Sequence, residues 1–249
     1  MTRTLKLCSA LLLALAAASA NAVNYAGTPF EIEMIVFSRT QGMDKSGETW
    51  PAAPKLQYPQ RWVDFHSQKN GLPLLTQVPT QLNNKVAALN RSGNYKVLFH
   101  RAWQQVLQQK HRSPAIVISG GDSYGDHHQL EGTITVSVAH YLHLSTNLWY
   151  NEFDGTGNDN VAGSGVLVPA VPRAPLTTAS ASDEPMNLSA GASQSIATDM
   201  PAYARHVALL QAKRRLRSGE LHYFDNPQFG VLIEIRKVDP SENAAGSDA

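Results

Sequence analysis

Polar and apolar residues alternate along much of the chain, and the alternation predicts strands. In FEIEMIVFSR (30–39), Glu31 and Glu33 alternate with Ile32, Met34 and Val36, after which Ile35 and Phe37 fill the other parity. This predicts a strand with one face half exposed at its start and both faces covered later. AIVIS (115–119) predicts another. In LEGTITVSVAHYLHLSTNLWYNE (130–152), Ile134, Val136, Val138, His140, Leu142 and Leu144 share one parity; Thr133, Thr135, Ser137, Ala139, Tyr141 and His143 share the other. At about 3.4 Å per residue the run is too long for one flat strand, so a bend near Ser145–Asn147 is expected. That parity puts His140 in the core. It turns Tyr141 and His143 outward among threonines, where they can meet sugar.

Other segments read differently. TQLNNKVAALNRSG (80–93) sets Leu82, Val86 and Leu89 at helical spacing, with Thr80 as N-cap and Gly93 as stop. YKVLFHRAWQQVLQ (95–108) begins as a strand, and past Arg101 helix and strand are both open. The stretch 205–217 is open in the same way, before turns at Gly219 and at Asp225-Asn226-Pro227 and a closing strand with Val231, Ile233 and Ile235 inward. Strands dominate without a strand–helix rhythm. The expected class is α+β, a mostly antiparallel sheet with one or two helices packed on it.

Composition sets the boundaries. Arg3 and Lys6, an apolar stretch from Leu7 to Ala18 and the small residues of Ala20-Asn21-Ala22 read as a signal peptide over 1–22, hence export to a periplasm or beyond. The stretch is too short for a bilayer span, which needs about 20 residues, and no later segment predicts a membrane span. Cys8 leaves with the signal, so neither a disulfide nor a thiolate zinc site is expected. Residues 40–60 read as a long loop that Trp50 and Tyr58 pin to the body. Residues 151–202 are rich in Gly, Ala, Ser, Thr, Asn and Pro and read as a long disordered loop inserted into a single domain (23–150 with 203–238), followed by a flexible tail, 239–249.

Charge is segregated. The domain segments hold 18 Lys and Arg against 11 Asp and Glu, whereas 151–202 holds one Arg against six acids and the tail three acids. A basic body suits an extended anionic partner, and export makes nucleic acid the least suitable of these. The cations concentrate at Lys213, Arg214, Arg215 and Arg217, just before His222 and Tyr223. Clustered arginines suit carboxylates or phosphates, which a guanidinium engages bidentately, or they discourage edge pairing of a strand.

One motif raises catalysis. Gly121-Asp122-Ser123-Tyr124-Gly125 reads as G-x-S-x-G. A nucleophile elbow places its serine between a strand and a helix, and here the next regular element is itself a strand. Ser123 is therefore expected as a turn serine, with a secreted serine hydrolase as the alternative. Asp122, Asp126, His127 and His128 do not amount to four fixed metal ligands, so neither metal nor cofactor is expected.

Four segments carry a family resemblance: EIEMIVFSR, VLFHRAWQQ, LEGTITVSVAHYLHLSTNLWY and RRLRSGELHYFDNPQFGVLIEI. Together they resemble CsiV-type periplasmic peptidoglycan-binding proteins. The resemblance implies a non-enzymatic accessory that binds peptidoglycan and supports a class A penicillin-binding protein through that enzyme's lipoprotein activator. The chain departs from the common pattern at His140, where the family shows Arg, and at Asn226, where it shows His. On physical grounds the expected peptidoglycan contacts are Arg214, Arg215, Arg217, His222, Tyr223, Tyr141 and His143.

Overall fold

A computed structural model describes residues 25–153, 165–173 and 201–238. The proposed signal, the tail and most of 151–202 lie outside them. β1 (Pro29–Arg39) is the strand that 30–39 predicts. It lies at the centre of a five-stranded antiparallel sheet flanked by β6 (Tyr95–Val106) and β14 (Phe229–Lys237), with β5 (Thr76–Val78) and β13 (Leu221–Asp225) at the edges. The second sheet has the order β12-β9-β8-β7-β2: His206–Leu216, Leu142–Glu152, His127–Val138, Ala115–Tyr124 and Trp62–Val63. It too is antiparallel, except where β2 runs parallel to β7. Ile32, Met34, Trp103, Val231 and Ile233 of the first sheet share one buried core with Ile134, Val136, Leu144, Leu148 and Leu210 of the second. Two short hairpins complete the strands, β3 (Gln68–Lys69) with β4 (Leu72–Pro73) and β10 (Val166–Val168) with β11 (Ala202–Ala204).

The fold is the expected α+β class, mostly antiparallel with two helices among the described residues. α1 (Gly42–Ser46) lies inside the 40–60 segment read as loop. It packs so closely that a Cβ on Gly42 would stand 2.3 Å from the Pro227 carbonyl oxygen. Trp50 and Tyr58 do pin that segment: Trp50 stacks on His206 at 4.8 Å and Tyr58 meets Trp149 edge-on at 5.0 Å.

Several sequence expectations change. The run 130–152 is two strands, not one bent at 145–147, because the chain reverses at Ala139-His140-Tyr141. Val138 faces Leu142 and Val136 faces Leu144, so a three-residue connection returns every even-numbered side chain to the same face. The alternation passes through the turn unbroken and hides it. His140 sits exposed at the tip, not in the core. β6 remains a strand throughout: it is buried in adjacent pairs, Leu98–Phe99 and Ala102–Trp103, and that spacing imitates a helix. In 205–217 helical propensity yields to eleven residues of pairing between β12 and β9. Within the segment read as disordered, β10 and Val168 pack on Trp149 and Val207.

α2 (Asn83–Arg91) covers the outer face of the first sheet, with Leu82, Val86 and Leu89 against Ile35 and Phe37. Thr80 does not cap it. Its hydroxyl bonds the Asn83 side chain, and Leu82 occupies the N-cap without a side-chain bond. Glu33, expected on a half-exposed face, is fully buried and takes the cap's place. Its carboxylate accepts from the backbone N–H groups of Gln81 (2.9 Å) and Leu82 (2.8 Å) and bonds His100 Nε2 at 2.8 Å. A negative charge at this helix end satisfies otherwise orphaned donors. Arg236 lies 3.5 Å from the same carboxylate and 2.5 Å from Glu31.

Burial by itself would raise the Glu33 pKa, but the bonds from His100, Leu82 and Gln81 outweigh it and hold the carboxyl below its ordinary 4.5. Its folded pKa lies below its unfolded one, so its stabilisation is complete above the unfolded value and is lost as pH falls through the folded value. Urea denaturation should show Glu33→Ala destabilised by about 3 kcal/mol at neutral pH, with the deficit shrinking on acidification. An equal deficit at all pH values would show that the charge contributes nothing.

Candidate functional site

Burial of the even-numbered side chains turns the odd-numbered ones of β8, β9 and β12 onto the outer face of the second sheet. Pairing aligns them in rows: Ser137–His143–Arg215, Thr135–Ser145–Lys213, and Thr133–Asn147–Gln211. A fourth row, Glu131–Trp149–Leu209, lies where Tyr58 packs. The second and third of these rows form the floor of an open groove of about 790 Å³ whose wall is Lys55, Gln57, Tyr58 and Pro59, and the first row lies beyond it. At the far end the Arg215 guanidinium lies 4.1 Å above the Tyr141 ring, a cation–π contact that fixes a long side chain at the surface.

The wall is anchored. Asn147 Nδ2 donates to the Gln57 carbonyl at 2.9 Å, and Gln211 Nε2 donates to Asn147 Oδ1 at 2.8 Å. Beneath Tyr58, Glu131 is fully buried and accepts from the His128 backbone N–H (2.8 Å), with His127 Nδ1 at 3.1 Å and Asn151 Nδ2 at 3.3 Å. Burial, and then the nearby Glu131 charge, push the Tyr58 hydroxyl far above its ordinary pKa. Tyr58 is thus a neutral, packed wall.

The seven residues singled out by sequence do not converge. Arg215, Tyr141 and His143 share the outer face just described. Arg214 has the opposite parity; it lies 4.7 Å over the Phe224 ring and donates to the Tyr223 carbonyl. Arg217 reaches Glu220 at 3.4 Å in the turn after β12, and its backbone N–H donates to His222 Nε2. Tyr223 is on the other sheet, stacked on Phe37. There its hydroxyl donates to Asp225 at 2.6 Å while Arg39 bonds both groups. Burial, then the bond to Asp225, push Tyr223 up to about 12. Burial would raise Asp225 in turn, but Tyr223 and Arg39 hold it below the ordinary carboxylate range. This triad satisfies itself.

The groove residues Thr133, Thr135, Ser145, Asn147, Gln211 and Lys213 were not singled out as a site by sequence. The signal that finds them is the same odd parity, once β12 is known to be a strand beside β9.

A family model described as peptidoglycan-binding protein, CsiV, matches residues 8–238. The chain belongs to the CsiV family. No curated protein and no solved structure matches it. For a CsiV chain the family description is one of binding. Ser123, expected in a turn, lies instead within β7, opposite His128, on a strand that bulges after Gly120 and turns at Gly125-Asp126 directly into β8. No helix follows it. Directly opposed residues share a face and neighbours alternate, so the His127–Glu131 pair lies on the other side of the ribbon from Ser123. Among the described residues no His, Cys, Asp and Glu cluster is arranged to hold a metal ion.

A fluorophosphonate probe should leave Ser123 unmodified, with intact-mass spectra of wild type and Ser123→Ala equally free of adduct. A wild-type adduct absent from the variant would establish an activated serine.

Proposed function

We propose that the protein is a non-catalytic periplasmic accessory that binds peptidoglycan through the outer face of its second sheet. The carrying observation is the juxtaposition, in a chain of this family, of the Arg215–Tyr141 pair and His143 with an open polar groove. Arg215 and Lys213 meet carboxylates of the polymer, and Tyr141 and His143 contact the sugar or peptide beside them. Arg217, in the turn after β12 and bonded to His222 of β13, borders this face near Tyr141, whereas Arg214 leaves the opposite face of β12. Tyr223 stands apart from the wall contact and, with exposed Leu221, offers a surface on the other sheet to a protein partner. Export rests on the signal-like residues 1–22; no helix of the described residues is long and apolar enough to cross a membrane. Family resemblance supports the partner assignment: the lipoprotein activator of a class A penicillin-binding protein, whose wall synthesis the chain supports.

Exposed cation–carboxylate contacts are screened over roughly 8–10 Å at ordinary ionic strength, so binding is salt-sensitive. Co-sedimentation of the exported chain with purified sacculi should fall as salt rises. Arg215→Ala should weaken pelleting roughly tenfold, the loss of one charge-assisted contact, and Arg217→Ala far less. Pelleting that ignores both salt and Arg215→Ala would refute this contact surface.

A further inference from the structure

The groove itself carries a more specific assignment, which rests on the peptidoglycan reading above. Peptidoglycan offers two chemistries: stem peptides bearing carboxylates and amines, and a glycan strand of N-acetylated hexoses bearing hydroxyl and acetamido groups. The two call for different surfaces. A peptide with alternating charge calls for both cations and anions. Among the described residues no carboxylate lines this groove; its floor between Arg215 and Trp149 is hydroxyls and amides, and the charges these residues bring are Lys55 and Lys213.

We infer that the groove takes the glycan strand, with Arg215 and Lys213 left to meet the carboxylates that branch from it. Three observations support this. The Thr135 and Ser145 hydroxyls make no side-chain hydrogen bond among the described residues, so each can donate to and accept from a sugar hydroxyl. The amides are pre-set in a chain, Gln211 to Asn147 to the Gln57 carbonyl, which holds both side chains in place and lowers the ordering cost of binding. The wall supplies Tyr58, held by Trp149, and Pro59, apolar surfaces for the C–H face of a pyranose ring. The volume, about 790 Å³, lies within the range of ligand clefts, and its open form suits an extended chain that enters and leaves.

The test compares intact sacculi, sacculi stripped of stem peptides by an amidase, and a neutral β-1,4-linked N-acetylglucosamine oligomer. Stripping leaves lactyl carboxylates on the glycan, so the neutral oligomer isolates the groove from the cations. The expected result is retention of stripped glycan and salt-independent binding of the neutral oligomer. Combined Ser145→Ala and Gln211→Leu substitution should weaken oligomer binding at least tenfold, with an unchanged thermal transition and sacculus pelleting reduced less. Arg215→Ala should spare the oligomer. Binding to intact sacculi with none to stripped glycan or oligomer would overturn the glycan assignment and leave wall binding standing. Binding to none of the three would overturn both.

Discussion

The even-numbered side chains of β8, β9 and β12 leave water together, and everything that the second sheet shows to solvent follows from that constraint. Ile134, Val136, Leu144, Leu148 and Leu210 are buried against the first sheet. A slip of one residue would expose all of them and bury Thr135, Ser145 and Lys213 instead. The polar rows are therefore held in place by the core, which lets short threonine and serine side chains form an ordered surface. The sheets also crowd one another where β7 meets β6: a Cβ on Gly120 would stand 2.2 Å from the Leu98 carbonyl oxygen, so glycine is what permits the approach.

Two buried carboxylates fix what is attached outside the sheets. Glu33 holds the first turn of α2 on one outer face, and Glu131 holds the β7–β8 ribbon beside the Tyr58 wall on the other. Each is fully buried and each is met by a histidine and by backbone N–H donors, two for Glu33 and one for Glu131, which the Asn151 amide also meets. Unpaired, either would be strongly destabilising; paired, each selects one position for a segment that propensity alone leaves undetermined. The wall of the groove is tied to its floor by the Asn147–Gln57 bond and by Tyr58 on Trp149.

Much of this was legible in the sequence. The strand at 30–39, the strand at 115–119, a helix with Leu82, Val86 and Leu89 on its packed side, and the pinning by Trp50 and Tyr58 all appear, although Glu33 is buried and Thr80 does not cap the helix. The failures have physical causes. A three-residue turn preserves parity, so 130–152 reads as one strand. Covering both faces of β6 erases alternation, and the long aliphatic and basic residues of β12 favour helix until β9 pairs with them. Glu33 and Glu131 look like surface acids because decisive partners, Leu82 and His100 in one case and Asn151 in the other, come from other segments or other strands. The site divided for a similar reason: Arg214 and Arg215 are adjacent in sequence, and a strand sends adjacent side chains to opposite faces.

The central claim is that one face of one sheet contacts the wall polymer. Amide chemical-shift mapping of the exported chain with soluble peptidoglycan fragments addresses it directly, because the alternatives lie on different sheets. The account predicts perturbations clustered at Thr135, His143, Ser145, Asn147, Gln211 and Arg215. Perturbations centred instead on Arg39, Tyr223 and Asp225, with the β8–β9–β12 face silent, would contradict it.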